Sequence, residues 1–165
     1  MRPEIKSKVL VFLVFTGILA GQGAKAQFSN PATGPLSANT VPLAQLMQPT
    51  ELVKLLKSAG ADHPVVFQVG SFVMFQQAHI PNAGFAGPGS QANGSILLKK
   101  FSAPLKKGQL IVIYCGCCPW GRCPNIGPAY KELHDLGFTN VKALYLANNF
   151  GDDWVSKGYP VERGE

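Results

Sequence analysis

Apolar positions along this chain follow two periods, and the switches between them mark out the elements. Leu52, Leu55, Leu56 and Ala59 recur at i, i+3, i+4 and i+7 behind Pro49-Thr50-Glu51, which predicts a helix closed by Gly60. After Asp62-His63-Pro64, the run from Val65 to Val69 predicts a buried strand with Gly70 at its carboxyl end. Leu110 to Tyr114 predicts a second strand and Val141 to Leu146 a third. Between them, Ile126, Ala129, Leu133 and Leu136 place one apolar face on a helix that ends at Gly137. Weaker signals fill the gaps. Ser71 to Ala78 admits a short helix, and Ile96 to Phe101 one or two helical turns. His79-Ile80-Pro81-Asn82-Ala83 reads as a compact turn leading to a short extended piece. Gly84 to Ser95, with Gly-Pro-Gly-Ser and Asn-Gly, reads as a mobile loop. Asp152 and Asp153 are expected to cap a last short helix through Trp154. Strands alternating with helices predict an α/β domain with a mainly parallel sheet.

The first 26 residues have a different character. Arg2, Lys6 and Lys8 precede an apolar stretch from Val9 to Ala20, and Ala24-Lys25-Ala26 offers a small-x-small cleavage site. This predicts a secretory signal peptide over 1–26, since the apolar stretch is too short for an ordinary membrane-spanning helix. Residues 27–45 form a flexible lead-in, rich in Ser, Asn, Pro, Gly and Thr up to Asn39. The domain then occupies 46–165. Without residues 1–26 the net charge falls from +6 to +3, because four basic residues and one acidic residue are removed. That gives no case for nucleic acid as a partner, and the pairs Lys99-Lys100 and Lys106-Lys107 read as a solvated face. No membrane association is expected after cleavage. Export to a periplasm or beyond places the cysteines where disulfides persist.

All four cysteines lie within one short stretch, Cys115-Gly-Cys117-Cys118-Pro-Trp-Gly-Arg122-Cys123, between the second strand and the helix at Ile126. Ligands of parallel α/β sheets bind beyond the carboxyl ends of strands. A helix N-terminus adds free N–H groups and positive dipole character, which stabilise a thiolate. Asn125 is expected as the N-cap, since Pro128 then falls at the third helical position, where its missing N–H costs nothing. Cys115, at the strand end, is the expected nucleophile, with Cys118 as second choice. Arg122 and the N–H groups of Ile126 and Gly127 are expected to hold an anion. Cys117, Cys118 and Cys123 are candidates for a disulfide or a redox pair; one of the adjacent cysteines joined to Cys123 would tie the loop shut. The Cys-x-Cys-Cys-x4-Cys spacing differs from paired Cys-x2-Cys zinc sites, so no metal and no organic cofactor is assigned.

Several segments together resemble a single rhodanese (sulfurtransferase) domain. Ile111-Val-Ile-Tyr-Cys115 is similar to that family's strand ending in its persulfide-forming cysteine, and His79-Ile-Pro-Asn-Ala83 to its His-Ile-Pro-Gly-Ala signature. Pro49-Thr-Glu-Leu52, Leu136-Gly-Phe138 with Val141, and Trp154 followed by Gly158-Tyr-Pro-Val161 resemble further family segments in the same order. The departures are specific. Gln68 and Gly70 stand where the family has Asp and Arg, and Asn148-Asn149 replaces its two glycines. The active loop is about five residues longer and carries three extra cysteines.

The resemblance implies sulfane-sulfur transfer through a cysteine persulfide, from a small anionic donor such as thiosulfate or a persulfide to a thiol or cyanide. Two other readings stay open: thiol–disulfide exchange by a pair within the loop, and a non-catalytic, disulfide-stapled binding module. Dual-specificity phosphatase chemistry does not fit, because its Cys-x5-Arg loop is absent: six residues separate Cys115 from Arg122 and four separate Cys117 from it. Export gives the first prediction. N-terminal sequencing of exported protein is expected to begin at Gln27, and material still beginning at Met1 or Val9 would refute the leader assignment.

Overall fold

The apolar strand Ile111–Tyr114 is buried at every residue and pairs with a neighbour on each side, which makes it the centre of the sheet. A computed structural model describes residues 40–58 and 63–164. The leader, most of the lead-in, and Ala59 and Gly60 at the expected close of the first helix therefore lie outside the described residues. Five parallel strands, β1 (Leu46–Met47), β2 (Val65–Gln68), β3 (Gly84–Phe85), β4 (Ile111–Tyr114) and β5 (Val141–Leu144), form one sheet in the order β1-β5-β4-β2-β3. The helices are α1 (Pro49–Lys57), α2 (Phe72–Gln77), α3 (Ala92–Ser102), α4 (Ile126–Asp135) and α5 (Phe150–Asp153).

Alternation along β4 separates two cores, as a strand's period of two requires. Ile111, Ile113 and Cys115 belong to one core with Leu98 of α3 and Ile126, Ala129 and Leu133 of α4. Val112 and Tyr114 belong to the other, with Leu52 and Val53 of α1, Phe75 of α2, and Phe150 and Trp154. The result is a three-layer α/β/α arrangement. The expected α/β class with a parallel sheet is what the structure shows.

Several local expectations change. β1 and β3 are two residues each, too short for periodicity to register, and they are held by pairing to β5 and β2. Helix α3 begins at Ala92, inside the Gly-rich segment expected to be a loop. Gly94 fits there because a side chain would collide with the Pro88 carbonyl, 2.0 Å from the position of its Cβ. The last short helix is capped by Asn149, whose side chain accepts from the Asp152 N–H at 2.9 Å, and not by the aspartates. Asp153 instead accepts from the Asn148 N–H at 2.6 Å. Lys99 pairs with Glu132 at 3.0 Å, and Lys107 lies over the Phe138 ring at 4.0 Å, so the basic pairs partly serve packing.

Two residues in segments that carry the resemblance have structural roles. Trp154 is fully buried, donates its indole N–H to the Pro160 carbonyl at 2.8 Å, and packs on Phe150 and Tyr159. His79 is buried against Phe75, with ring centroids 3.9 Å apart, and hydrogen-bonds the Phe75 carbonyl through Nδ1 at 2.8 Å. Among the described residues no helix is long and apolar enough to cross a membrane. Replacing Trp154 with Ala is expected to cost about 3–5 kcal/mol, read as a lower urea midpoint; an unchanged midpoint would mean that the closing segment does not anchor the second core.

Candidate thiol site at the end of the central strand

The four cysteines come together where β4 ends and α4 begins. Cys115 follows the last residue of β4, and Gly116 then turns the chain with φ +77. Only glycine fits at that turn, because a Cβ would lie 2.7 Å from Phe150 Cβ. The Gly116 carbonyl accepts from the Phe150 N–H at 3.0 Å, which ties the turn to α5. Farther on, the loop is fixed again: the Trp120 N–H donates to the Ala147 carbonyl at 3.2 Å, and its ring packs on Tyr145. A one-turn 3-10 helix, Trp120–Arg122, brings the chain back to Cys123.

This path gathers the sulfurs. Cys115 Sγ lies 3.1 Å from Cys117 Sγ, which lies 3.1 Å from Cys118 Sγ. Cys115, Cys117 and Cys123 have all their sulfurs within 4.8 Å of one another. All four thiols are free, so no bridge joins the disulfide candidates here. Cys115 and Cys123 are buried, Cys118 is partly buried, and Cys117 is exposed. Cys115, Cys118, Trp120, Cys123, Leu144 and Leu146 help close a small, largely apolar cavity.

Like charges this close repel, so deprotonation at one sulfur opposes it at the next. The Cys115 and Cys117 thiols stabilise charge on Cys123 most strongly; burial opposes this, and the backbone N–H groups of Asn125 and Ile126 reinforce it, so the Cys123 thiol is held far below its usual range. Cys115 moves the other way. A hydrogen bond with Cys117 favours its thiolate, but Cys123 and burial outweigh this and push it up to about 12. The Cys117 thiol is raised mainly by its contacts with Cys115 and Cys123, and the Cys118 thiol mainly by burial. The N–H groups at the start of α4 thus stand beside Cys123, one of the bridge candidates, while Cys115 keeps the strand end. Cys123 lies three residues before Ile126, and that offset is the signal the sequence offers.

The expected anion site differs in its parts. The helix does start after Asn125 with Pro128 third, but the backbone donors near the Cys123 sulfur are those of Asn125 and Ile126, where Ile126 and Gly127 were expected. Arg122 is exposed on the 3-10 turn, and its guanidinium makes no hydrogen bond or ion pair among the described residues. Asn125 itself is the residue whose importance the sequence hid. Its side chain does not cap the helix. It donates to Cys115 Sγ at 3.2 Å and accepts from the N–H and hydroxyl of Ser90 at 3.2 and 2.7 Å. The segment expected to be mobile is thus a wall of the site, and Gly89 lies so close to α4 that a Cβ would sit 2.3 Å from the Asn125 carbonyl oxygen.

Gln68, in the family's Asp position, closes the other side. It is buried, donates to the Cys115 carbonyl at 3.3 Å and to the Ser71 carbonyl at 3.4 Å, and accepts from the Gly70 N–H at 3.2 Å. A neutral amide here supports the backbone and adds no charge.

No family model matches the chain, and no curated protein matches it in sequence. Solved structures do. The BH2092 protein of Bacillus halodurans matches with a TM-score of 0.57 at 24% identity over 73% of this chain and 78% of that one. The Alr3790 protein of Anabaena sp. matches with a TM-score of 0.54 at 20% identity over 72% and 92%. The solution structure of the rhodanese-like domain of the same Anabaena protein gives a TM-score of 0.54 at 18% identity over 72% and 79%. The fold is rhodanese-like.

Gly70 tests how tightly the site is built. A Cβ there would lie 2.9 Å from the Cys115 carbonyl oxygen and 3.0 Å from its sulfur. Gly70→Ala is expected to displace Cys115, lower stability by about 1–3 kcal/mol, and speed alkylation of Cys115 as read by mass spectrometry. Unchanged stability and alkylation would show that the strand end tolerates displacement.

Proposed function

We propose that this protein transfers sulfane sulfur through a cysteine persulfide. The observation that carries the proposal is the gathering of Cys115, Cys117 and Cys123 between the carboxyl end of the central strand and the start of α4, in a rhodanese-like fold. A thiolate attacks the outer sulfur of thiosulfate, the inner S–S bond breaks, and sulfite leaves with the electron pair. The enzyme then carries S–S⁻. A thiol or cyanide takes the outer sulfur and restores the thiolate, so no net oxidation of the protein occurs. A persulfide donor serves in the same way, its own thiolate leaving in place of sulfite.

Cys115 keeps the strand-end position that the resemblance gives the nucleophile. The local donors favour Cys123, and the proposal assigns the attacking thiolate to it. Cys117 is exposed to solvent, with its sulfur 3.1 Å from that of Cys115. Arg122 lies on the same loop, free to meet an anionic donor on arrival. Thiol–disulfide exchange is the second reading, favoured by the 3.1 Å contact between Cys115 and Cys117.

Four single Cys→Ser variants, each assayed for thiocyanate formation and for disulfide reduction, separate these readings. Cys123→Ser is expected to lower transfer by about a hundredfold or more, with loss of the sulfur-adduct mass, while Cys118→Ser retains most of the rate. Transfer that survives in Cys123→Ser and vanishes in Cys115→Ser would return the nucleophile to the strand end. Disulfide reduction without thiocyanate formation would establish the redox reading.

A further inference from the structure

The loop holds more sulfur than persulfide chemistry requires. Transfer uses one thiolate, yet three sulfurs from three separate points of the chain's path converge within 4.8 Å, with Cys118 beside them. From this convergence we propose that Cys115, Cys117 and Cys123 form a three-thiolate site for a single thiophilic d10 metal ion, of the Cu(I), Zn(II) and Cd(II) class.

The geometry suits such an ion. A metal–sulfur bond near 2.3 Å places tetrahedral sulfur ligands about 3.8 Å apart. The Cys115–Cys117 separation of 3.1 Å and the 4.8 Å outer limit of the group bracket that spacing. Thiolate ligands select soft metals over hard ones. An ion of charge +1 or +2 also removes the like-charge repulsion that otherwise prevents several of these sulfurs from ionising together, and its binding expels their protons.

The surroundings are those of a ligand set. Asn125 donates to Cys115 Sγ and is itself oriented by two bonds from Ser90, so its amide cannot turn away. Backbone N–H groups of Asn125 and Ile126 attend Cys123. Donors of this kind orient coordinating sulfurs and temper their charge. Trp120, Leu144 and Leu146 supply an apolar wall beside Cys115 and Cys123, and Cys117 is exposed to solvent. The expectation that the Cys-x-Cys-Cys-x4-Cys spacing carries no metal compared sequence intervals only. Here the 3-10 turn folds the long interval back, so Cys123 returns beside Cys115.

This inference does not rest on the sulfur-transfer reading, and its test involves no sulfur donor. The full chain, reduced and stripped with a chelator, is titrated anaerobically with Cd(II) while the sulfur-to-cadmium charge-transfer absorbance is followed. One ion per chain is expected, with a rise in melting temperature. Competition of Zn(II) and Cu(I) against bound Cd(II) then names the preferred ion. Cys115→Ser, Cys117→Ser and Cys123→Ser are each expected to abolish saturation at one equivalent, whereas Cys118→Ser preserves it. Asn125→Ala is expected to weaken binding by about tenfold to a hundredfold. Should a variant misfold, the wild-type protein still decides: bound Cd(II) is expected to protect Cys115, Cys117 and Cys123 from alkylation and to leave Cys118 reactive. No charge-transfer band in the reduced protein, or equal protection of all four cysteines, would overturn the three-sulfur site. A metal-binding protein without transfer activity would refute the proposed function alone, and transfer without metal binding would refute this inference alone.

Discussion

The Asn125 carboxamide joins three segments of the chain at one point. Its nitrogen donates to the sulfur that ends the central strand, and its oxygen accepts two bonds from Ser90. The strand end, the Gly-Pro-Gly-Ser segment and the start of α4 are thereby fixed around one planar group. A neutral amide can do this because it donates at one end and accepts at the other. An aspartate in its place would offer only acceptors and would set a negative charge beside a sulfur cluster already limited by like-charge repulsion. Asn125 also stands at the N-cap position, so the same residue that orders the sulfurs marks where the helix N–H groups become available.

Around that point the fold supplies rigidity from both cores. β4 sits between β2 and β5, and its alternating side chains anchor it on each face of the sheet. The loop that follows is long, but it is fixed at Gly116 to α5 and at Trp120 to the segment after β5. Those two attachments convert a stretch of nine residues, Cys115 to Cys123, into a fold-back. Sulfurs distant in the loop then meet without any bridge between them.

The elements that carried strong periodicity were legible from sequence. Strands β2, β4 and β5 and helices α1 and α4 lie where their apolar residues placed them, because burial on a face writes itself into spacing. β1 did not show, and β3 showed only as the short extended piece after the turn at Ala83, since two residues cannot display a period and both are held by pairing to other strands. Helix α3 was shortened in the reading because Asn93-Gly94 carries a strong turn signal; packing of Gly94 against Pro88 overrides it. At the site, the location of the thiol chemistry was legible and its distribution was not. Strand end plus helix start pointed to the Cys-rich loop, but which sulfur sits nearest the helix donors depends on how the 3-10 turn returns the chain. Asn125 showed the same limit: its type and position signal a cap, while its side chain is committed elsewhere.

The two substitutions at the end of β2 explain why this site differs in kind from one built around fixed charges. Gln68 and Gly70 stand where the rhodanese pattern carries an acid and a base. Gln68 holds the Cys115 carbonyl with a neutral donor, and Gly70 lets that backbone and its sulfur approach within contact of β2. An arginine at position 70 would need room that Cys115 already fills. The space beside Gly70 is filled by the Cys115 sulfur and backbone. Among the described residues, the groups that stabilise negative charge on Cys123 are neighbouring thiols and peptide N–H groups, which favour a single thiolate over a second one. A cluster of four thiols in that setting stays mostly protonated until something cationic or electrophilic arrives. That condition suits sulfur capture by one thiolate, and it suits a soft metal drawing in three.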